Sequence, residues 1–281
     1  MTELSAPVRV GCQGWNYEDW VSGAAGSLPI FYPRGTRPPE MLEIYARAFE
    51  TVEVDSTFYA IPSAQVISAW ARRTPEDFTF SLKLPQEITH TRALGSGSLI
   101  LLEEFSERVR ALGSRLGVVL IQLPPQFELT TENAHTLREF LSELPRDIRF
   151  SIEFRHPSWM RRRVADLLAK HRVALALTEG QWIERSLMLQ FMEWPAADFA
   201  YIRWMGERDL VRFDRVQRMR DKNLQSWSET ITKIRGRTKE VFAYFSNFYE
   251  GHAPASANKL KRLLGQQPVE ASSLDDQPSL F

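Results

Sequence analysis

Eight short runs rich in β-branched and aromatic residues recur along the chain, with a longer amphipathic stretch between each and the next. They are VRVGCQ (8–13), TVEVDS (51–56), FTFSLK (78–83), GVVLIQL (117–123), IRFSIEF (148–154), VALALT (173–178), FAYIRW (199–204) and VFAYFS (241–246). Such alternation is what βαβ units with a parallel sheet produce. Eight strands close a (β/α)8 barrel, for which about 250 residues suffice; this chain has 281. The expected architecture is therefore α/β, a single TIM-type barrel over residues 1–265.

The intervening segments carry helical patterns. Pro38 and Pro39 open a helix whose Met41, Leu42, Tyr45 and Phe49 share a face, and Ser63 caps the next, which Pro75 ends. Further helices are expected over 99–112, 134–144, 159–168, 216–234 and 256–264, whereas 181–197 is irregular. The polar, Pro- and Ser-containing stretch 266–281 reads as a flexible tail.

Composition narrows the function classes. Lys+Arg and Asp+Glu both number 35, so no overall basic field announces nucleic acid or a membrane. The single cysteine, Cys12, excludes an intramolecular disulfide and a multi-cysteine zinc site. The chain shows neither a secretory leader pattern nor a long apolar run, so the expectation is a cytoplasmic protein that does not span a membrane.

In a barrel of this kind the chemistry sits where strands end and βα loops begin. That rim would gather Trp15, Asp55, Thr57, Tyr59, Lys83, His90, Gln122, Glu153, Arg155, His156, Trp159, Arg203 and Asn247. Glu153 and Asp55 suit general acid–base work or metal binding, with Lys83 and His156 as further catalytic candidates. Arg155 and Arg203, with Lys83, suit an anion such as phosphate, and Trp15, Tyr59 and Trp159 suit stacking on a base or sugar. The same Glu153 and Arg155 would also serve a structural ion-pair network, and the aromatics would also serve as the lid of the core. Five histidines are too few for a histidine-rich zinc centre, but Asp55 and Glu153 offer two carboxylates to magnesium or manganese. A Gly-rich phosphate loop, H-E-x-x-H and G-x-S-x-G are absent from the sequence.

The blocks GCQGWNYEDW, FYPRG, TVEVDSTFYAIPS, FTFSLKLPQEITH, LGVVLIQLPPQF, SIEFRHPSW, YIRWMG and YFSNFYEGHAPASA resemble, in order, those of the domain-of-unknown-function 72 family, also called YecE-like. The resemblance spans residues 8–264 and implies a TIM-type barrel whose pocket is lined by the rim residues above. Three positions depart from the family's blocks: Met205 stands where a histidine is usual, Ser246 where an asparagine is common, and Thr178 followed by Glu179 where an acidic residue often follows strand six.

The chain ends Gln277-Pro278-Ser279-Leu280-Phe281, which resembles the pentapeptide that docks bacterial repair proteins on the DNA sliding clamp, with Gln277, Leu280 and Phe281 as the contact residues. Positions 203–239 hold eleven Lys/Arg against five Asp/Glu, a basic stretch that suits a phosphate backbone as well as a solvated helix face. Together these features lead to the expectation of a DNA-maintenance enzyme, a nuclease or repair hydrolase recruited by its tail. A hydrolase of a small sugar or sugar-phosphate and a non-catalytic clamp-binding adaptor are the alternatives.

Overall fold

The computed structural model describes residues 6–23 and 29–274. Eight parallel strands, β1 (Val8–Gln13), β2 (Thr51–Val54), β3 (Thr79–Lys83), β4 (Leu116–Gln122), β5 (Phe150–Glu153), β6 (Ala174–Glu179), β7 (Phe199–Trp204) and β8 (Glu240–Phe245), pair in sequence order into a closed barrel. The seam is the β1–β8 pairing, which runs from Val8 opposite Val241 to Cys12 opposite Phe245. Every expected strand is present.

Helices α1 (Pro38–Ala48), α2 (Ala64–Arg72), α3 (Ser98–Val109), α4 (Thr131–Ser142), α5 (Arg162–His171), α6 (Arg185–Gln190), α7 (Asp221–Arg235), α8 (Asn247–Glu250) and α9 (Ala253–Leu263) follow the strands. Side-chain caps fix some of their starts: Ser63 Oγ accepts from Val66 N and Thr130 Oγ1 from Asn133 N. Helices α4 and α9 begin three residues before their expected starts, and α5 and α7 begin later than expected. A tight turn over Pro157–Trp159 delays α5, and α7 begins at Asp221 rather than 216 because Gln217 N and Arg218 N both donate to Glu250 O instead of to a helical turn.

Alternation along the strands divides the side chains between two cores. Val118, Leu120, Ala176, Phe199, Tyr201, Phe242 and Tyr244 fill the barrel interior. Val52, Val54, Ile202, Trp204, Val241 and Phe245 point outward, against helical Leu102, Leu137, Leu168 and Trp227. The interior also holds a hydroxyl layer: Tyr244 OH meets Thr51 Oγ1 at 2.7 Å and Ser81 Oγ at 2.8 Å. Gly11 keeps β1 close to β2, because a Cβ there would lie 2.1 Å from Thr51 O.

Beyond α9 the chain stays on the barrel as far as it is described. Gln266 Nε2 donates to Val8 O at 2.7 Å, Asn258 Nδ2 donates to Val269 O at 3.0 Å, and Leu274 is 3% exposed. The clamp-type peptide with Gln277, Leu280 and Phe281 lies outside the described residues. Among the described residues no helix is long and apolar enough to cross a membrane.

Candidate active site at the strand ends

The site has a buried floor and an open chamber. In β2 the sequence Thr-Val-Glu-Val puts Thr51 and Glu53 on the inward face, and Glu53 is completely buried. Arg203, inward on β7 and also completely buried, meets it through two parallel bonds, Nε to Oε2 at 2.8 Å and Nη2 to Oε1 at 2.7 Å. Arg203 Nη1 donates to Glu153 Oε2 and, at 3.2 Å, to Gln122 Oε1. Tyr201 OH donates to Glu53 Oε2 at 2.6 Å, and Arg155 Nε donates to the other oxygen of Glu153 at 2.7 Å.

Burial alone would push the Glu153 carboxyl up, but the guanidinium groups of Arg203 and then Arg155 hold it down at about 2. Burial likewise works against the Arg203 charge, and Glu153 and Glu53 more than offset it. A charge cluster of this kind survives burial because each member is both paired and hydrogen-bonded.

Above this floor lies a cavity of about 400 Å³, within the range of small-molecule sites. Lys83, at the end of β3, is ion-paired with Asp55 and stands 3.9 Å from Glu53 Oε1. Asp55 is 36% exposed, so its carboxylate is reachable from the cavity. Arg155 lines the wall with its guanidinium carbon 5.8 Å from the Trp182 ring centre. His90 bonds Thr89 Oγ1 through Nδ1 at 2.9 Å and sits edge-on to Phe58. Burial, then Arg155, lowers the His90 pKa, which favours the neutral imidazole. Gln13, Gln86, Gln122 and Gln181 contribute amides, and Tyr17, Tyr59, Trp182 and Phe248 contribute rings.

Of the residues singled out from sequence, the structure brings Asp55, Tyr59, Lys83, His90, Gln122 and Arg155 together around the cavity. Several others take different places. Glu153 and Arg203 lie beneath it with their polar atoms engaged on one another and on neighbours, so neither is presented to a ligand. Thr57 fixes the backbone of Lys83, accepting from its N–H at 3.0 Å and donating to its carbonyl at 2.9 Å. Asn247 Oδ1 accepts from Trp20 Nε1 and Ala253 N. Trp159 is 1% exposed, stacked between Phe127 and Phe154 with Nε1 on Phe127 O; it is core and stacks on no ligand. Trp15 packs edge-on against Trp70, and His156 bonds Ser158 through Nδ1; neither lines the cavity.

Sequence reasoning passed over Glu53, Gln86, Gln181 and Trp182, and counted Arg208 only as part of a basic run. The signal for Glu53 was present: an acidic residue between two valines of an interior strand must face inward or break the pattern. At the departures from the family blocks, Met205 and Ser246 both line the cavity, while Glu179 is turned aside onto Trp227 Nε1 and Asn223 Nδ2.

Asp55 and Glu153, the pair considered for a divalent cation, each face a cation of the protein. Among the described residues no three His, Cys, Asp or Glu side chains converge. Several cations of the basic stretch 203–239 are ion-paired, some within it and some to carboxylates outside it. Arg212 and Arg215 bind Asp214, Arg218 binds Asp209, Arg220 approaches Glu179, Arg237 approaches Glu193, and Lys239 binds Asp198.

Comparison with known proteins places this geometry in a family. The chain is 32% identical over 152 residues to the UPF0759 protein YecE of Escherichia coli K12; this match covers 54% of the chain and about half, 50%, of YecE. It is 26% identical over 291 residues to the UPF0759 protein YunF of Bacillus subtilis, covering 92% of the chain and 94% of YunF. The crystal structure of a DUF72 family protein from Thermotoga maritima superposes with a TM-score of 0.76 at 26% identity, over 92% of this chain and 100% of that one. The family model described as "Protein of unknown function DUF72" matches residues 9–279, and the chain belongs to that family.

Proposed function

We propose that the chain is a hydrolase of a small, phosphorylated, hydroxyl-rich molecule of the sugar-phosphate class, bound in the rim cavity. The observation that carries this reading is the arrangement at its base. Asp55 pairs with Lys83 through its buried Oδ1 and stays partly exposed to the cavity, whereas Glu53 and Glu153 are buried and consumed in holding the cations. Asp55 then accepts the proton of a water that attacks phosphorus, the P–O bond to the sugar breaks, the leaving sugar oxygen takes a proton from water in the open chamber, and Lys83 and Arg155 hold the charge of the phosphoryl group. The glutamine amides suit hydroxyl groups, and Tyr59 and Trp182 suit the face of a sugar ring. A 400 Å³ chamber suits a small molecule better than duplex DNA.

The test is a panel of sugar phosphates, scored by thermal shift and by phosphate or sugar release. Asp55→Asn is expected to keep binding and lose turnover by about 100-fold or more, the usual range for a general base. Lys83→Gln is expected to weaken binding about tenfold or more. Turnover unaffected by Asp55→Asn, or no member of the panel binding, overturns the reading.

A further inference from the structure

A second charged cavity opens at the opposite mouth of the barrel. It measures about 520 Å³ and lies among the N-terminal ends of β5, β6, β7 and β8. Arg146, Arg149, His171, Arg172 and Lys239 line it, against one carboxylate, Asp198, which Lys239 already engages at 2.8 Å. Arg146 and Arg172 make no ion pair among the described residues. Arg149 is held rigidly: Nη1 on Glu240 at 2.6 Å, Nε on Gly117 O at 3.1 Å, and the guanidinium over the Phe242 ring at 4.9 Å. That leaves its Nη2 without a partner among the described residues. His171 Nε2 is buried and also lacks a hydrogen bond.

The backbone supplies an independent sign. Arg172 closes α5 in the left-handed region, φ 57° and ψ 36°, where glycine is the residue of least strain. Cations at a helix C-terminus are favoured by the helix dipole, which explains His171. It explains neither an arginine in that conformation nor Arg146, Arg149 and Lys239, which sit on the connections leading into β5 and β8. Strain retained at Arg172, with unpaired donors beside it on the connections leading into β5 and β6, is the pattern of a ligand site. Burial, then Lys170, lowers the His171 pKa, a backbone hydrogen bond with Leu141 opposes the shift, and Arg146 adds least to it.

We infer that this lower mouth is a second binding site, for a small multivalent anion of the di- or polyphosphate class, with Arg146, Arg149 and Arg172 as its guanidinium donors. The site is separate from the rim chamber, so the inference stands whether or not the proposed reaction does.

The experiment is calorimetric titration of the full chain with pyrophosphate, in parallel with NMR observation of the His171 ring. Wild type is expected to bind and to shift the His171 resonances. Arg172→Gly removes the guanidinium while relieving the backbone, so it should fold with an unchanged or higher Tm and bind at least tenfold more weakly. Arg146→Gln should weaken binding similarly, and Lys83→Gln at the rim should leave the His171 response intact. Absence of pyrophosphate binding by wild type overturns the inference. So does full affinity in Arg172→Gly, or loss of the His171 response in Lys83→Gln.

Discussion

Arg203 has no contact with solvent, and its charge is tolerated only because Glu53 and Glu153 flank it. Removing one partner of such a cluster leaves an uncompensated buried charge, which costs about 3–5 kcal/mol. Glu53→Gln is therefore expected to lower stability by that amount in denaturant titration, and an unchanged midpoint would show that Glu153 alone suffices. Acid provides a second handle. The Glu153 carboxyl titrates at about 2 in the folded chain, below its ordinary 4.5, so its contribution is complete above about pH 4.5 and is lost as pH falls toward 2. The shift corresponds to something on the order of 3 kcal/mol. Wild type should lose stability over that window more steeply than Glu153→Gln, and parallel curves would contradict the ion pairing. At this scale the sequence was half legible. Rules for strand ends find Asp55, Lys83 and Arg155, but moving one or two residues along a strand changes the face or the depth. Glu153 and Arg203 thus look like ligands until their partners from other strands are known. Trp159 has the same difficulty, since one of its stacking partners, Phe127, is 32 residues away.

Among the elements, the strands were the most legible, because burial on both faces of a parallel sheet demands continuous apolar runs that nothing else in the sequence imitates. The segment joining β7 to α7 was the least, since its conformation is set from outside. Phe213 packs on Tyr17 and Phe248, its N–H donates to Asp19 Oδ2, and Gln217 N is taken by Glu250 O. Period alone extends α7 back to 216; these contacts pull the chain out of helical register and lay it over the rim, where Arg208 reaches the cavity. Gly206 is the pivot of that path. Its φ is 67°, and a Cβ would stand 2.1 Å from Phe248 O, a backbone atom that cannot turn aside. Gly206→Ala is expected to cost about 1–3 kcal/mol and to weaken sugar-phosphate binding by displacing Arg208. Calorimetry checks both, and an unaltered Kd would mean the segment does not shape the chamber.

The whole molecule depends on closing β8 against β1, the one strand pairing that joins the two ends of the barrel sequence. The chain after α9 reinforces that closure. Gln266 donates to the carbonyl of Val8 in β1, Val269 O accepts from Asn258 of α9, Arg262 binds Glu270, and Leu274 is buried. A polar, Pro- and Ser-bearing stretch gives little sign of this in sequence, because the few residues that dock it are isolated rather than periodic. Ending the chain at Gly265 removes these contacts and should lower the Tm of the barrel. The loss should appear as faster hydrogen exchange at Val8 and Val10, whose strand the segment braces, while amides of β4 and β5 on the far side keep their protection. Uniform loss around the barrel would instead mean that the seam and the far side open as a single unit.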